Sequence, residues 1–179
     1  MGKSRKRSVT MSPLGAILRG AVAGAVGVIA LDASNYAQYR GGGGTEDPLS
    51  WEFSTGLDSW DDAPAPAQVG KRLYEGFLQK ELPPSAARTV NNVTHWGYGI
   101  FWGAGYGILA ASLGSRRLRG PVFGALVWLS SYVTLPLAKL YKPIWEYEPK
   151  VLAKDLSGHL AYGTATARAF AVLSGRRPS

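Results

Sequence analysis

The stretch VTHWGYGIFWGAGYGILAASLGSRRLRG, residues 93–120, decides the fold. From Val93 to Leu113 it carries no Lys, Arg, Asp or Glu and one histidine, His95. At about 1.5 Å per residue, a helix of this length matches a bilayer core of about 30 Å. The turn that follows holds Arg116, Arg117 and Arg119 and no acid. Inside the apolar run Gly99, Gly103 and Gly107 are spaced by four. That stripe lets another helix backbone approach closely.

The same alternation runs through the whole chain. Lys3, Arg5, Lys6 and Arg7 precede an apolar stretch over 13–31, and Arg176 and Arg177 follow one over 151–173. All twelve acidic residues lie in 32–89 or 146–155. Basic and acidic segments therefore alternate across apolar ones, as the positive-inside rule produces in a four-span protein with both termini in the cytoplasm. The expected order is a basic tail 1–12, spans 13–31, 90–113, 121–141 and 151–173, a large outer loop 32–89, a basic turn 114–120, a short outer loop 142–150 and a tail 174–179. This is an all-α, integral membrane four-helix bundle, N-in/C-in.

The bulk composition is less telling. An apolar fraction of 46% suits a soluble protein, and the mean hydropathy of −0.04 averages spans with a polar loop and basic tails. A net charge of +8 raises nucleic acid as a partner. The basic residues sit beside apolar spans, however, so anionic headgroups of the lipid bilayer are the simpler partner, with no nucleic acid expected. With no cysteine there is no disulfide, thiolate metal site or cysteine nucleophile. The first span has one charge, Arg19, near enough to the basic end to snorkel. Cleavage after Ala30 as a signal peptide is conceivable, but the later spans favour an uncleaved signal anchor.

The outer loop opens on four glycines, 41–44, read as a flexible linker. An acidic stretch with Trp51, Phe53 and Trp60 follows, lying on the membrane surface or disordered. Residues 68–82 read as an amphipathic helix in the outer interface, with Val69, Leu73 and Phe77 on one face. Pro83 and Pro84 end it, and Ser85 is placed to cap the next helix. Tyr141, Trp145 and Tyr147 form an aromatic belt at the acidic side.

Small residues also recur by four at Gly20 and Gly24 and at Gly120 and Gly124. Counting on from Gly24 reaches Asp32, and counting back from Gly99 reaches His95, so both belong to close-packed faces. Asp155 and His159 are i, i+4 in the last span, and Lys139 lies near the same end. Asp32, His95, Lys139, Asp155 and His159 are thus expected at one level of the bundle. Ionisable groups inside spans are costly and mark a site by default. Three readings compete. In the structural one, Asp155 pairs with Lys139 and the histidines bond across helices. In the second, the histidines shuttle protons for a small carrier. In the third, His95, His159, Asp155 and Asp32 hold zinc or a similar ion. No helix carries an HxxxH or HxxE pair, so no metal and no cofactor are assigned.

Catalytic motifs are wanting. The glycines at 41–44 lack the lysine of a phosphate loop, Gly97-Tyr98-Gly99 follows no strand, and no GxSxG occurs. The acids over 58–62 lack the alternating ligands of an EF-hand.

Three stretches, VGKRLYEGFLQKELPP (69–84), NNVTHWGYGIFWGAGYG (91–107) and SGHLAYGTATARAF (157–170), resemble the small bacterial inner-membrane proteins related to YagU. The resemblance covers about half the chain and leaves out the first span and the acidic loop. It singles out Asn92, His95, Gly99, Gly103, Gly107, His159, Tyr162 and Gly163. It implies a multi-pass inner-membrane location and no particular activity. The expected function is that of a non-enzymatic accessory or structural membrane protein, which self-associates if its glycine faces meet between copies. The alternative is a small oligomeric transporter or proton-coupled carrier using the His/Asp/Lys cluster.

Overall fold

The computed structural model describes residues 11–113 and 120–175. The basic segments over 1–10, 114–119 and 176–179 lie outside the described residues. Within them the protein is all-helical, with no strand. The helices are α1 (Pro13–Gly41), α2 (Pro48–Glu52), α3 (Ala65–Leu78), α4 (Ala87–Leu113), α5 (Gly120–Leu137) and α6 (Pro149–Leu173).

Helix α1 starts where Ser12 accepts the Gly15 N–H at 3.1 Å, with Pro13 in the first turn. It runs ten residues past the expected boundary at residue 31. Asp32 does not end it, because this carboxylate is buried and turned onto a neighbouring helix. The extension is held from outside. Tyr36 and Tyr39 pack on Trp51, with ring centroids 5.3 and 5.9 Å apart. The Tyr39 hydroxyl accepts the N–H groups of Thr45 and Glu46, both at 3.1 Å. The glycines at 41–44 are thus a tight turn, with Gly43 at φ +95°, and not a loose linker. Asp47 then caps α2 through the N–H groups of Leu49 and Ser50, so the acidic stretch folds back on α1.

Three other boundaries differ from the sequence reading. Helix α3 ends at Leu78 instead of 82, with Gln79 left-handed at φ 53°. Ser85 lies inside a 3-10 turn, Pro84–Ala86, that leads into α4 without a side-chain cap. Helix α5 stops at Leu137, one residue after Pro136, where the span was expected to reach 141. Lys139 takes a left-handed φ of 56° beyond it.

In the bundle α1 is central, with α4 on one flank and α6 on the other; α5 packs on α6 and α3 on α4. Glycine sets these approaches. A Cβ on Gly24 would lie 2.6 Å from the Gly99 carbonyl oxygen and 2.9 Å from Gly103 Cα. One on Gly20 would strike the Gly103 carbonyl, and one on Gly107 the Ala16 carbonyl. Across α5 and α6, a Cβ on Gly120 would lie 2.7 Å from the Gly163 oxygen, and one on Gly124 would strike the His159 carbonyl. The spacing by four is therefore used within one chain. Between α4, α5 and α6 the half nearer Gly120 is filled by aromatics: Phe123 stands 4.9 Å from Tyr106 and 5.9 Å from Tyr162, and Tyr106 is 5.7 Å from Phe170.

Many large apolar side chains lie on the exterior of the bundle. Leu14, Leu18, Val22 and Ile29 on α1 are more than half exposed, as are Phe101 on α4 and Val122, Leu126 and Val133 on α5. Two helices, α1 and α5, are long and apolar enough to cross a membrane.

Candidate functional site

Two acid–histidine pairs form at one end of the bundle. The first joins α1 to α4. Asp32 is 6% exposed, and His95 Nε2 donates to its carboxylate from 3.0 Å to each oxygen. That geometry places the imidazole proton on Nε2. A third group enters from α2. Glu52 accepts from Trp96 Nε1 at 3.2 Å and lies beside Asp32. Burial first, and then the negative charge of Asp32, push the Glu52 carboxyl above its usual range. Sequence reasoning passed over Glu52 as one acid in a polar loop. The one signal was Asp47-Pro48, a cap followed by a first-turn proline, which starts the helix carrying it.

The second pair lies within α6 and is tied to α5 by two donors. Asp155 Oδ2 accepts from Trp128 Nε1 at 3.1 Å and from the Tyr132 hydroxyl at 3.0 Å. His159 Nδ1 lies 3.4 Å from Oδ1 of the same carboxylate and donates to the Asp155 carbonyl at 3.0 Å. Tyr132, Tyr141 and Tyr147 pack together alongside, with centroids 5.4 to 6.0 Å apart.

Lys139 does not join this group. It is exposed beyond the end of α5, and among the described residues Asp155 has no lysine or arginine partner. The cause is Pro136. It lacks an N–H and breaks the helical ladder, so the chain turns away within three residues and carries the lysine outward. Trp128 and Tyr132, on the face of α5 toward α6, take the role expected of Lys139.

His95, Asp155 and His159 border one cavity of about 390 Å³. Its apolar walls include Val28 and Leu31 of α1, Val127 and Leu135 of α5 and Val69 of α3. Tyr98, Tyr141 and Tyr162 contribute ring surface. Helix α3 roofs it: Gly70 sits against Val90 and Thr94 of α4, and Arg72 donates to the Ala138 carbonyl just past α5. Leu73 and Phe77, on the apolar face expected to meet the outer interface, are exposed at 54% and 82%.

The remaining positions singled out by the resemblance are structural. Asn92 donates to the Phe53 carbonyl at 2.9 Å, and the Tyr162 hydroxyl donates to the Gly99 carbonyl at 2.6 Å, tying α6 to α4. Gly103, Gly107 and Gly163 form the close approaches described above. No three His, Cys, Asp or Glu among the described residues converge to hold a metal ion. No family model, curated protein or solved structure matches the chain.

Proposed function

We propose that this chain is a four-span protein of the bacterial inner membrane, with both termini cytoplasmic and a non-enzymatic, accessory or structural role. The observation that carries the reading is the inverted polarity of the bundle. Glycine, alanine, tyrosine, Thr166 and Asp32 are buried beside Val28, Phe123, Val127 and Phe170, while Leu14, Leu18, Val22, Ile29, Phe101, Leu126 and Val133 face outward. A water-soluble protein of this size hides such side chains and does not expose them over three helices. Helix α4 is less uniformly apolar because of its glycines, tyrosines and tryptophans, and α6 because it carries Lys154, Asp155, His159 and Arg168, of which Asp155 and His159 are bonded inside the bundle. The low average hydropathy of these helices is therefore compatible with a lipid-facing surface. The resemblance to YagU-related proteins agrees with this placement.

The accessory role follows from the polar pairs. His95 is spent on Asp32 and His159 on the Asp155 carbonyl, so the pairs fix helix register between α1 and α4 and within α6. The glycine faces are also consumed within the chain, so a homo-oligomer would assemble through other surfaces. The cavity supports a second reading, a small carrier whose His95, Asp155 and His159 border the solute path.

Cysteine labelling tests the topology on a background free of native cysteine. Ser4→Cys, Ser115→Cys and Ser179→Cys should be shielded from an impermeant thiol reagent in intact cells. Thr55→Cys, exposed in the outer loop, should react. A reactive position 179 beside a shielded 115 would show that α6 does not cross.

A further inference from the structure

We propose that the cavity between α1, α4, α5 and α6 binds a small organic cation, an ammonium group on an apolar or aromatic body. Charge is the first argument. Asp155 stands at its edge, and Asp32 and Glu52 stand behind His95, while no lysine or arginine borders it. The carboxylates at and behind this wall favour a cation over an anion.

The second argument is preorganisation. Asp155 is held by two fixed donors, Trp128 and Tyr132, with His159 at 3.4 Å, and among the described residues no lysine or arginine pairs with it. A carboxylate in a mainly apolar recess is stabilised by a cation that displaces water there. The third is shape and surface. Tyr98, Tyr141 and Tyr162 in the wall supply aromatic groups of the kind that attract ammonium ions, and Val28, Leu31, Val69 and Leu135 suit a hydrocarbon body. A volume of about 390 Å³ lies in the range of small-molecule sites.

Competing occupants fit less well. A lipid tail would leave Asp155 and the imidazoles desolvated without a charge partner. A bare metal ion lacks a set of three converging ligands among the described residues. The inference needs the helical bundle but not the direction in which it is inserted, so it stands or falls separately from the topology.

The test is calorimetric titration of the purified full chain in a neutral maltoside detergent. The probes are benzyltrimethylammonium, its uncharged isostere neopentylbenzene, and phenylbutyrate as an anion. The expected result is saturable one-to-one binding of the ammonium probe, with neither of the others competing. Asp155→Asn keeps an acceptor for Trp128 and Tyr132 and should weaken binding about tenfold or more. If that variant fails to fold, Leu135→Trp fills the cavity with all charges kept and should abolish binding while the helical circular dichroism is unchanged. No saturable binding to folded wild type, equal binding of neopentylbenzene or phenylbutyrate, or unchanged affinity in a folded variant would each overturn the proposal.

Discussion

A methyl group at Gly24 probes the close approach of α1 to α4. The added Cβ would lie 2.6 Å from the Gly99 carbonyl oxygen, whereas ordinary contact begins near 3.4 Å, so the helices must part by about 0.8 Å. Both nearest obstacles, Gly99 O and Gly103 Cα, are backbone. No side chain can rotate away, and the whole interface must open. A radial gap of that size forfeits a quarter to a half of the dispersion energy of the contacts it separates. Overpacking of this kind costs about 1–3 kcal/mol. Alanine is the better helix former by about 1 kcal/mol, which offsets part of the loss. Gly97 isolates that offset, because a Cβ there meets nothing within 4 Å. Gly24→Ala should therefore be less stable than Gly97→Ala by about 1–3 kcal/mol. The assay is reversible unfolding in maltoside micelles titrated with dodecyl sulfate, followed by circular dichroism. Equal midpoints and slopes for the two variants would refute the close approach and, with it, the intrachain use of the glycine stripe.

Three further outcomes follow from the same geometry. Tyr162→Phe removes the hydroxyl bonded to the Gly99 carbonyl and should cost about 1 kcal/mol in the same titration; no change would mean that the bond is absent. Asp32→Asn and His95→Gln should be non-additive by about 0.5–3 kcal/mol in a double-mutant cycle, and strict additivity would show that they do not touch. Glu52 makes a pH prediction. Its folded-state pKa is raised above the unfolded value, so the folded state holds the proton more tightly. Its contribution is most favourable below the unfolded value, about 4.3, and is lost as pH rises through the raised one. Glu52→Gln keeps an acceptor for Trp96 Nε1, and its melting temperature should rise relative to wild type as pH goes from 4 to 7. A constant difference across that range would place Glu52 in solvent.

The glycine stripes were legible because helical spacing by four is a strict geometric constraint, and counting along them reaches Asp32 and His95 without any structure. Helix ends were less legible where a tertiary partner overrode a local signal. Asp32 reads as the end of an apolar span, yet α1 continues to Gly41 because the carboxylate has His95 to meet. The four glycines after it read as a linker, yet Tyr39 gathers the following N–H groups into a turn. Lys139 was misplaced because a span through Pro136 was assumed to continue for five more residues. Glu52, Trp128 and Tyr132 were out of reach for a different reason. Their roles depend on which helices are neighbours, and no periodicity within a single helix carries that information.

The position of the cavity follows from where the stripes stop. Gly103 and Gly107 of α4, and Gly120 and Gly124 of α5, hold the bundle tight in one half, with Tyr106, Phe123 and Phe170 filling the centre. One turn beyond Gly124, the face of α5 toward α6 carries Val127 and Trp128 instead of glycine, and one turn before Gly99, α4 presents His95. Helices that carry such side chains cannot keep backbone contact, so space opens between α4 and α5 at this level, and Gly99, Val127 and Tyr162 form part of its wall. The polar pairs are found at the same level because only there is there room for an imidazole and a carboxylate between helices. Tight packing below and the α3 roof above, tied to α4 at Gly70 and to the end of α5 by Arg72, then hold those groups around a recess. One sequence device, glycine at every fourth position over part of α1, α4 and α5, thus accounts for both the rigidity of the bundle and the location of its recess.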